Sequence, residues 1–244
     1  MASLAKFQTL EEAFLYCRDM DASLAERLEA FSLATRYLLP GYQEAVDSMA
    51  GRLKLHEAGR AAPKIGDRMP RFVLPDENGE LLSLERLLEK GPVAIVFHRG
   101  HWCPYCRINT RALAEMQEQI VGEAGQLTAI TPERQWFAAE LKRGSLARFP
   151  VLTDIDNGYA LSLNLAIWVG QEMERILAAA GLHLPAYQGN EGWLLPIPAT
   201  FVVDKDGRVV ARFVDPDYRN RMAVKDLLAA LQSCALERPG SNPS

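Results

Sequence analysis

The chain has 244 residues, 48% hydrophobic and 24% charged, with a formal net charge of -4 at pH 7, the profile of a soluble globular protein with room for one generous domain and an appendage. Lys and Arg are scattered without basic clusters, which argues against nucleic acid as a partner. The opening M-A-S-L-A-K-F-Q-T-L-E-E-A-F carries acidic residues where a signal peptide needs an apolar run, and no later stretch reaches roughly 18 apolar residues, so the protein is expected in the cytoplasm, off the membrane.

Residues 1–61 hold no strand pattern. Apolar residues recur there at spacings of three and four (Leu10, Phe14; Leu24, Leu28, Phe31; Val46, Met49, Leu53), which predicts two or three helices, broken once at Leu39-Pro40-Gly41. The Gly- and Pro-containing G-R-A-A-P-K-I-G ends this N-terminal helical extension, with a boundary near residue 62. A short strand is expected over 71–74, a turn at P-D-E-N-G-E, and a helix over 84–89 capped by Ser83. Continuous β-branched and apolar runs at 93–98, 127–131 and 200–204 read as strands buried on both faces. Helical patterns over 106–121, 133–146 and 159–180 separate them. Lys205-Asp206-Gly207 is a tight turn that pairs 201–203 with 208–213 as a hairpin, and a helix over 224–233 closes the domain. The order predicts an α/β fold, a central mixed sheet flanked by helices over 62–235, with 236–244 as a disordered tail.

Four cysteines in a reducing compartment do not make a disulfide framework. Cys17 and Cys234 sit in helical patterns and read as small packed hydrophobes. Cys103 and Cys106 stand apart in R-G-H-W-C-P-Y-C, at the junction of the strand 93–98 and the helix that follows. A helix N-terminus favours an anion, so Cys103 is the expected thiolate nucleophile. Two residues on, Cys106 comes round within one turn, at a separation a disulfide can close, and is the expected resolving thiol. Pro104 suits the first turn, where its missing N–H costs nothing, and Trp102 can shield the sulfur from water. Two other readings stand beside the redox pair. His101, Cys103 and Cys106 form an H-x-C-x-x-C cluster that would need a fourth ligand to hold zinc, and the thiols could simply be packed. Pro198, directly before the strand 200–204, is either a trans proline opening a strand or a cis proline.

W-C-P-Y-C after a buried strand, a proline before T-F-V-V-D, and the turn K-D-G together resemble the thioredoxin superfamily. Within it, I-G-D-R-M-P-R-F-V-L-P and F-V-D-P-D-Y resemble the peroxiredoxin-like proteins of the alkyl hydroperoxide reductase and thiol-specific antioxidant branch. The resemblance covers residues 62–235 and implies a thioredoxin-like fold, with Cys103 as peroxidatic cysteine, Cys106 as resolving cysteine and a cis Pro198 packed against their disulfide. It also implies no cofactor and no metal. The departures are specific. In the branch's P-x-x-x-T-x-x-C motif the proline position is Val96 and the threonine position is Gly100, and the arginine expected before A-T-F is Pro198. Thioredoxin's buried acid is replaced by Phe97. Arg99 or Arg107 would have to supply the missing positive charge, and His98 or His101 is a candidate proton acceptor.

The expected activity is that of a thiol-dependent antioxidant oxidoreductase reducing peroxides, its site shaped by Arg99, Trp102, Pro104, Tyr105 and Pro198. The substrate is then a peroxide, and the reductant a thiol of the thioredoxin, glutaredoxin or glutathione type. Two alternatives are a thioredoxin- or glutaredoxin-like thiol-disulfide oxidoreductase and an interaction protein switched by the redox state of the pair. The Leu and Phe stripes of the N-terminal helices fit either a homodimer contact or packing on their own domain.

Overall fold

A computed structural model describes residues 7–120 and 125–236; the expected tail beyond Leu236, which itself ends a helix, and the last residue of the helix expected over 106–121 lie outside them. The N-terminal segment forms α1 (Leu10–Arg18), α2 (Leu24–Leu38) and α3 (Pro40–Leu55). Reciprocal capping boxes start the first two, Thr9 with Glu12 and Ser23 with Glu26, and satisfy backbone donors that would otherwise be orphaned. Pro40 opens α3 at its first turn, so the break expected there separates two helices by a single residue.

Beyond them lie β1 (Val73–Pro75) and β2 (Leu81–Ser83), a hairpin, and then α4 (Leu84–Leu88), which Ser83 caps. The chain continues through β3 (Val93–Phe97), α5 (Pro104–Glu115), α6 (Gln117–Gln119), β4 (Gln126–Thr131), α7 (Gln135–Gly144) and β5 (Val151–Thr153). It closes with α8 (Gly158–Ser162), β6 (Ala166–Trp168), α9 (Gln171–Ala179), α10 (Leu184–Gln188), β7 (Leu194–Pro196), β8 (Ala199–Val203), β9 (Val209–Val214) and α11 (Val224–Leu236). The main sheet has the order β5-β4-β3-β8-β9. β3 runs parallel to β4 and antiparallel to β8, with Ile95 opposite both Thr128 and Phe201. The sheet is therefore mixed and β3 is central, buried at every residue as its unbroken apolar run requires.

One expected helix divides. Over 159–180 the helical spacing is interrupted at Asn164 and Gly170, both with positive φ (57° and 87°), and β6 forms between them by pairing with β7. A three-residue strand leaves almost no periodic signal, and the same is true of β5 and β7, which the sequence does not announce.

Alternate residues of β3 feed two cores. Ile95, Phe97, Phe201 and Val203 pack with Leu84, Leu87 and Leu163 on one face, while Ala94, Val96 and Val202 meet Leu113, Leu141, Leu227 and Leu231 on the other. A third core belongs to the N-terminal helices: Phe14, Leu28, Phe31, Val46 and Met49 pack with Cys103, Tyr105, Cys106 and Ile108. Arg27 of α2 reaches Glu115 at the end of α5 with two bonds of 2.8 and 3.1 Å, and each buried Phe or Leu adds about 1.5–3 kcal/mol. The extension thus packs on α5 over the helix start that carries both cysteines.

Candidate active site

β3 ends at Phe97, and His98 to Trp102 carry the chain into α5. Cys103 is the N-cap residue of α5 and Pro104 its first turn, so Cys106 lies one turn later on the same face. The two thiols are free, close together, and 1% and 0% exposed. The donors gather on the second sulfur: the Arg99 backbone N–H reaches Cys106 Sγ at 3.3 Å and Arg221 Nη2 reaches it at 3.6 Å. Cys103 makes no capping hydrogen bond to the helix N-terminus. Burial raises both thiols, but for Cys106 the neighbouring Cys103 and the charge of Arg221 outweigh it and hold it well below the ordinary thiol range. Cys103 is lifted well above that range, by burial and then by the charge on Cys106, against the pull of Arg99.

Arg99 is 2% exposed, and neither Nη atom has a hydrogen-bond partner. Its guanidinium lies 3.7 Å from the Tyr218 ring centroid and 4.9 Å from that of Trp102, and the neighbouring cysteines and tyrosines favour its charged form against burial. Arg107, the other candidate, stacks instead on Phe14 at 4.1 Å. Tyr105 packs edge-on to Phe31 and Tyr218, with centroids at 5.2 and 5.4 Å. Tyr218 is hydrogen-bonded through its hydroxyl to Tyr42 of α3 at 2.9 Å. An aromatic wall thus closes over Arg99 and the cysteines.

The two histidines divide the remaining work. His98 is fully buried; the Thr110 hydroxyl donates to the Cys106 carbonyl at 2.8 Å, and so accepts from His98 Nε2 at 3.1 Å. That chain fixes the imidazole beside Cys106. His101 instead turns to Glu133, a fully buried carboxylate that accepts from its backbone N–H at 2.6 Å and pairs with Nδ1 at 2.7 Å. Its ring stacks on Phe137 at 4.7 Å. With its Nδ1 committed to Glu133, His101 is not one of a cluster with the cysteines, and no group of three metal-ligating side chains forms among the described residues.

One expectation is overturned. The Ile197–Pro198 peptide is trans, as are all described peptide bonds. Pro196 pairs with Ala166 and Ile197 N–H donates to Leu165 O at 2.8 Å, so the chain passes straight from β7 into β8 and needs no tight turn there. Pro198 lines, with Arg99 and Tyr218, a small cavity of about 10 Å³. Tyr42, Arg221, Thr110 and Glu133 escaped sequence reasoning; Tyr218 lay within the quoted F-V-D-P-D-Y without being singled out, and Arg221 had no signal at all.

The AhpC/TSA family model matches residues 65–212. A thiol-disulfide oxidoreductase, ResA, from Bacillus thuringiensis (strain Al Hakam) is 24% identical over 165 residues, 68% of this chain and 78% of that protein. Among solved structures, peroxidoxin BcpB from Mycobacterium tuberculosis is similar with a TM-score of 0.55 and 21% identity, over 72% of this chain and 99% of that one. Reduced Prx3 from Vibrio vulnificus, in complex with hydrogen peroxide, has a TM-score of 0.55 and 14% identity, over 69% and 98%.

Proposed function

This chain belongs to the AhpC/TSA family and is a thiol-dependent oxidoreductase of thioredoxin-like fold, and on that premise we propose that it reduces peroxides through Cys103 and Cys106. The observation that carries the reading is the buried Arg99, free of any hydrogen-bond partner at either Nη, beside two close, buried cysteines. Cys103 gives its proton to the Cys106 thiolate, which leaves a thiolate on Cys103 and a thiol on Cys106. That thiolate attacks one peroxide oxygen; the O–O bond breaks, Cys103 becomes a sulfenic acid, and the other oxygen takes a proton from solvent and leaves as water or alcohol. The Cys106 sulfur then attacks Cys103, water leaves, and the Cys103–Cys106 disulfide forms. Two thiols of an external reductant restore the pair. Arg99, Trp102, Pro104, Tyr105 and Pro198 shape the site, and the cytoplasm, where such reductants are found, is the proposed location.

The gathering of donors on Cys106 supports a second reading, in which the order is reversed and Cys106 attacks. The names of the curated relatives and the C-P-Y-C sequence support a third, in which a disulfide replaces the peroxide. One experiment separates all three. The reduced Cys103→Ser and Cys106→Ser proteins are mixed with hydrogen peroxide and their sulfenic acids trapped and located by mass spectrometry. The proposed order requires a trapped acid on Cys103 in Cys106→Ser, formed at least about tenfold faster than on a simple thiol, and none in Cys103→Ser. The opposite pattern assigns the attack to Cys106. Rates no better than a simple thiol in both variants and in the parent chain would leave disulfide exchange as the activity.

A further inference from the structure

Arg221 belongs to two places at once. Its Nη2 reaches Cys106 Sγ at 3.6 Å, while its Nη1 donates to the carbonyl oxygens of Tyr218 and Asn220, the second at 2.7 Å. The same residue lines a groove of about 640 Å³ between α2 and the loop after β9. That volume lies within the ~300–1,000 Å³ typical of small-molecule sites. The groove meets the surface at Glu29, Arg36 and Asn220, which are exposed. Its wall also includes the buried Leu28, which packs in one core with both cysteines, and Arg221 makes the direct contact with the pair. A protein reductant meets its partner over a surface of about 800 Å² a side, whereas Cys106, 0% exposed and in contact with Arg221, offers a protein no face to meet.

Most charges along the groove are already answered. Arg36 pairs with Asp47 at 3.0 Å, Arg219 holds Asp217 with two bonds of 2.8 Å, and Asp215 accepts from Asn220 Nδ2 and from the Asp217 N–H, each at 2.8 Å. Two are not: among the described residues Arg221 has no carboxylate, and Glu29 no cation, within ion-pair reach. A fitting ligand offers a carboxylate to the first and an ammonium to the second, and a reductant adds a thiol. We propose that the groove binds the reductant, a small thiol of amino-acid type that carries both groups, and delivers it to Cys106. The inference rests on the reading of Cys103 and Cys106 as a disulfide-forming pair. The ligand's thiolate attacks Cys106 Sγ; the Cys103–Cys106 bond breaks, and Cys103 departs with the electron pair. A second thiol then attacks the ligand's sulfur, the disulfide of the two thiols leaves, and Cys106 departs as a thiolate beside the Arg221 guanidinium, whose charge makes it a better leaving group. Two electrons pass from the two thiols to the pair, and their two protons go to the cysteine sulfurs or to water.

The test takes the full chain, oxidised with hydrogen peroxide, and follows its reduction by stopped flow with four thiols at matched thiolate concentration. Glutathione carries both kinds of charge, 3-mercaptopropionate only the carboxylate, cysteamine only the ammonium and 2-mercaptoethanol neither. The rate with glutathione should saturate with concentration and, below saturation, exceed that with 2-mercaptoethanol at least about tenfold, the singly charged thiols lying between. Acid quenching and mass spectrometry should find the glutathione mixed disulfide on Cys106. Glu29→Gln, at an exposed position, should raise the half-saturating concentration of glutathione about threefold and leave 2-mercaptoethanol unchanged. Arg221→Gln should slow every thiol and remove the preference for glutathione, of which Arg221→Lys should keep part. Rates set by thiolate concentration alone for all four, in a chain that forms its disulfide, overturn this inference and leave the proposed function standing. A mixed disulfide on Cys103, or a preference for glutathione that survives Arg221→Gln, overturns the groove as the route, and an unmoved half-saturation in Glu29→Gln removes Glu29 from the site. A chain that forms no disulfide with peroxide overturns the function as well.

Discussion

At the threonine position of the family motif, Gly100 marks a local rebuilding of the site. Its φ is 145°, and a Cβ built there would stand 2.6 Å from Glu133 Oε1 and from Trp102 Nε1. The place of the missing side chain is thus already taken, by a carboxylate that His101 holds with two hydrogen bonds. Restoring the motif with Gly100→Thr should therefore harm the protein: a β-branched residue at this φ, pushing on a buried hydrogen-bonded acid, is expected to cost roughly 2–4 kcal/mol and to lower peroxide reactivity. Urea unfolding checks it, and a variant of unchanged stability with faster peroxide reduction would show that Gly100 is a simple loss. The other substituted positions have similar reasons. Phe97, where thioredoxin has an acid, is fully buried against Tyr159 and Phe201 and points into the core. What the sequence made legible here was the pair itself, because a strand running into C-P-Y-C carries its chemistry in adjacent residues. Arg99 was named from the same stretch. Glu133, Tyr218 and Arg221 come from elsewhere in the chain and reach the pair only through the tertiary fold.

At the scale of elements, spacing and caps marked those long enough to show a period. The three N-terminal helices, β3, β4, α5, α7 and the β8–β9 hairpin lie within a few residues of their expected places, whereas β5, β6 and β7, three residues each, have too few positions for alternation to register. The ionic part of the contact between α3 and the loop after β9 was equally silent. Arg219 holds Asp217 with two bonds of 2.8 Å and reaches Asp47 of α3. Burial raises both carboxyls, but pairing with Arg219 more than offsets it, so both lie below the ordinary carboxylate value of 3.8. Groups depressed in the folded state contribute stability that is present above their unfolded value and is lost as pH falls through the folded one. Glu133 and Asp154, raised by burial, act in the opposite sense: acid relieves their cost. Acid should therefore loosen α3 before the sheet. Hydrogen exchange followed from neutral pH to about pH 3 should show α3 amides losing protection ahead of β3, and Arg219→Gln should erase the difference. Simultaneous loss in both elements would mean that the ionic contact carries no share of α3 docking.

At the scale of the whole molecule, the fold places a reactive pair where no reagent can touch it directly. Cys103 and Cys106 are 1% and 0% exposed, roofed by the N-terminal helices through Phe31, Tyr105, Tyr218 and Tyr42. The stripes on those helices pack on the chain's own α5 and α9, and that is why an extension with no chemistry in its sequence matters to the site. Reagents of different size must then reach the sulfurs differently. Hydrogen peroxide needs only the small fluctuations that admit water, whereas glutathione disulfide needs the helices to lift, and its rate is the opening equilibrium multiplied by the rate of the open form. Phe31→Ala removes a fully buried ring from the roof, which costs about 3–5 kcal/mol, and each 1.4 kcal/mol or so that falls on the opening step is worth about tenfold in rate. The variant should thus react with glutathione disulfide at least about tenfold faster than the parent chain, but with hydrogen peroxide less than about threefold faster. Stopped-flow tryptophan fluorescence measures both, with Trp102 lying directly beside the pair. Equal acceleration by both oxidants would mean that peroxide also waits for the helices to open, and the extension would then gate every substrate instead of sorting them by size.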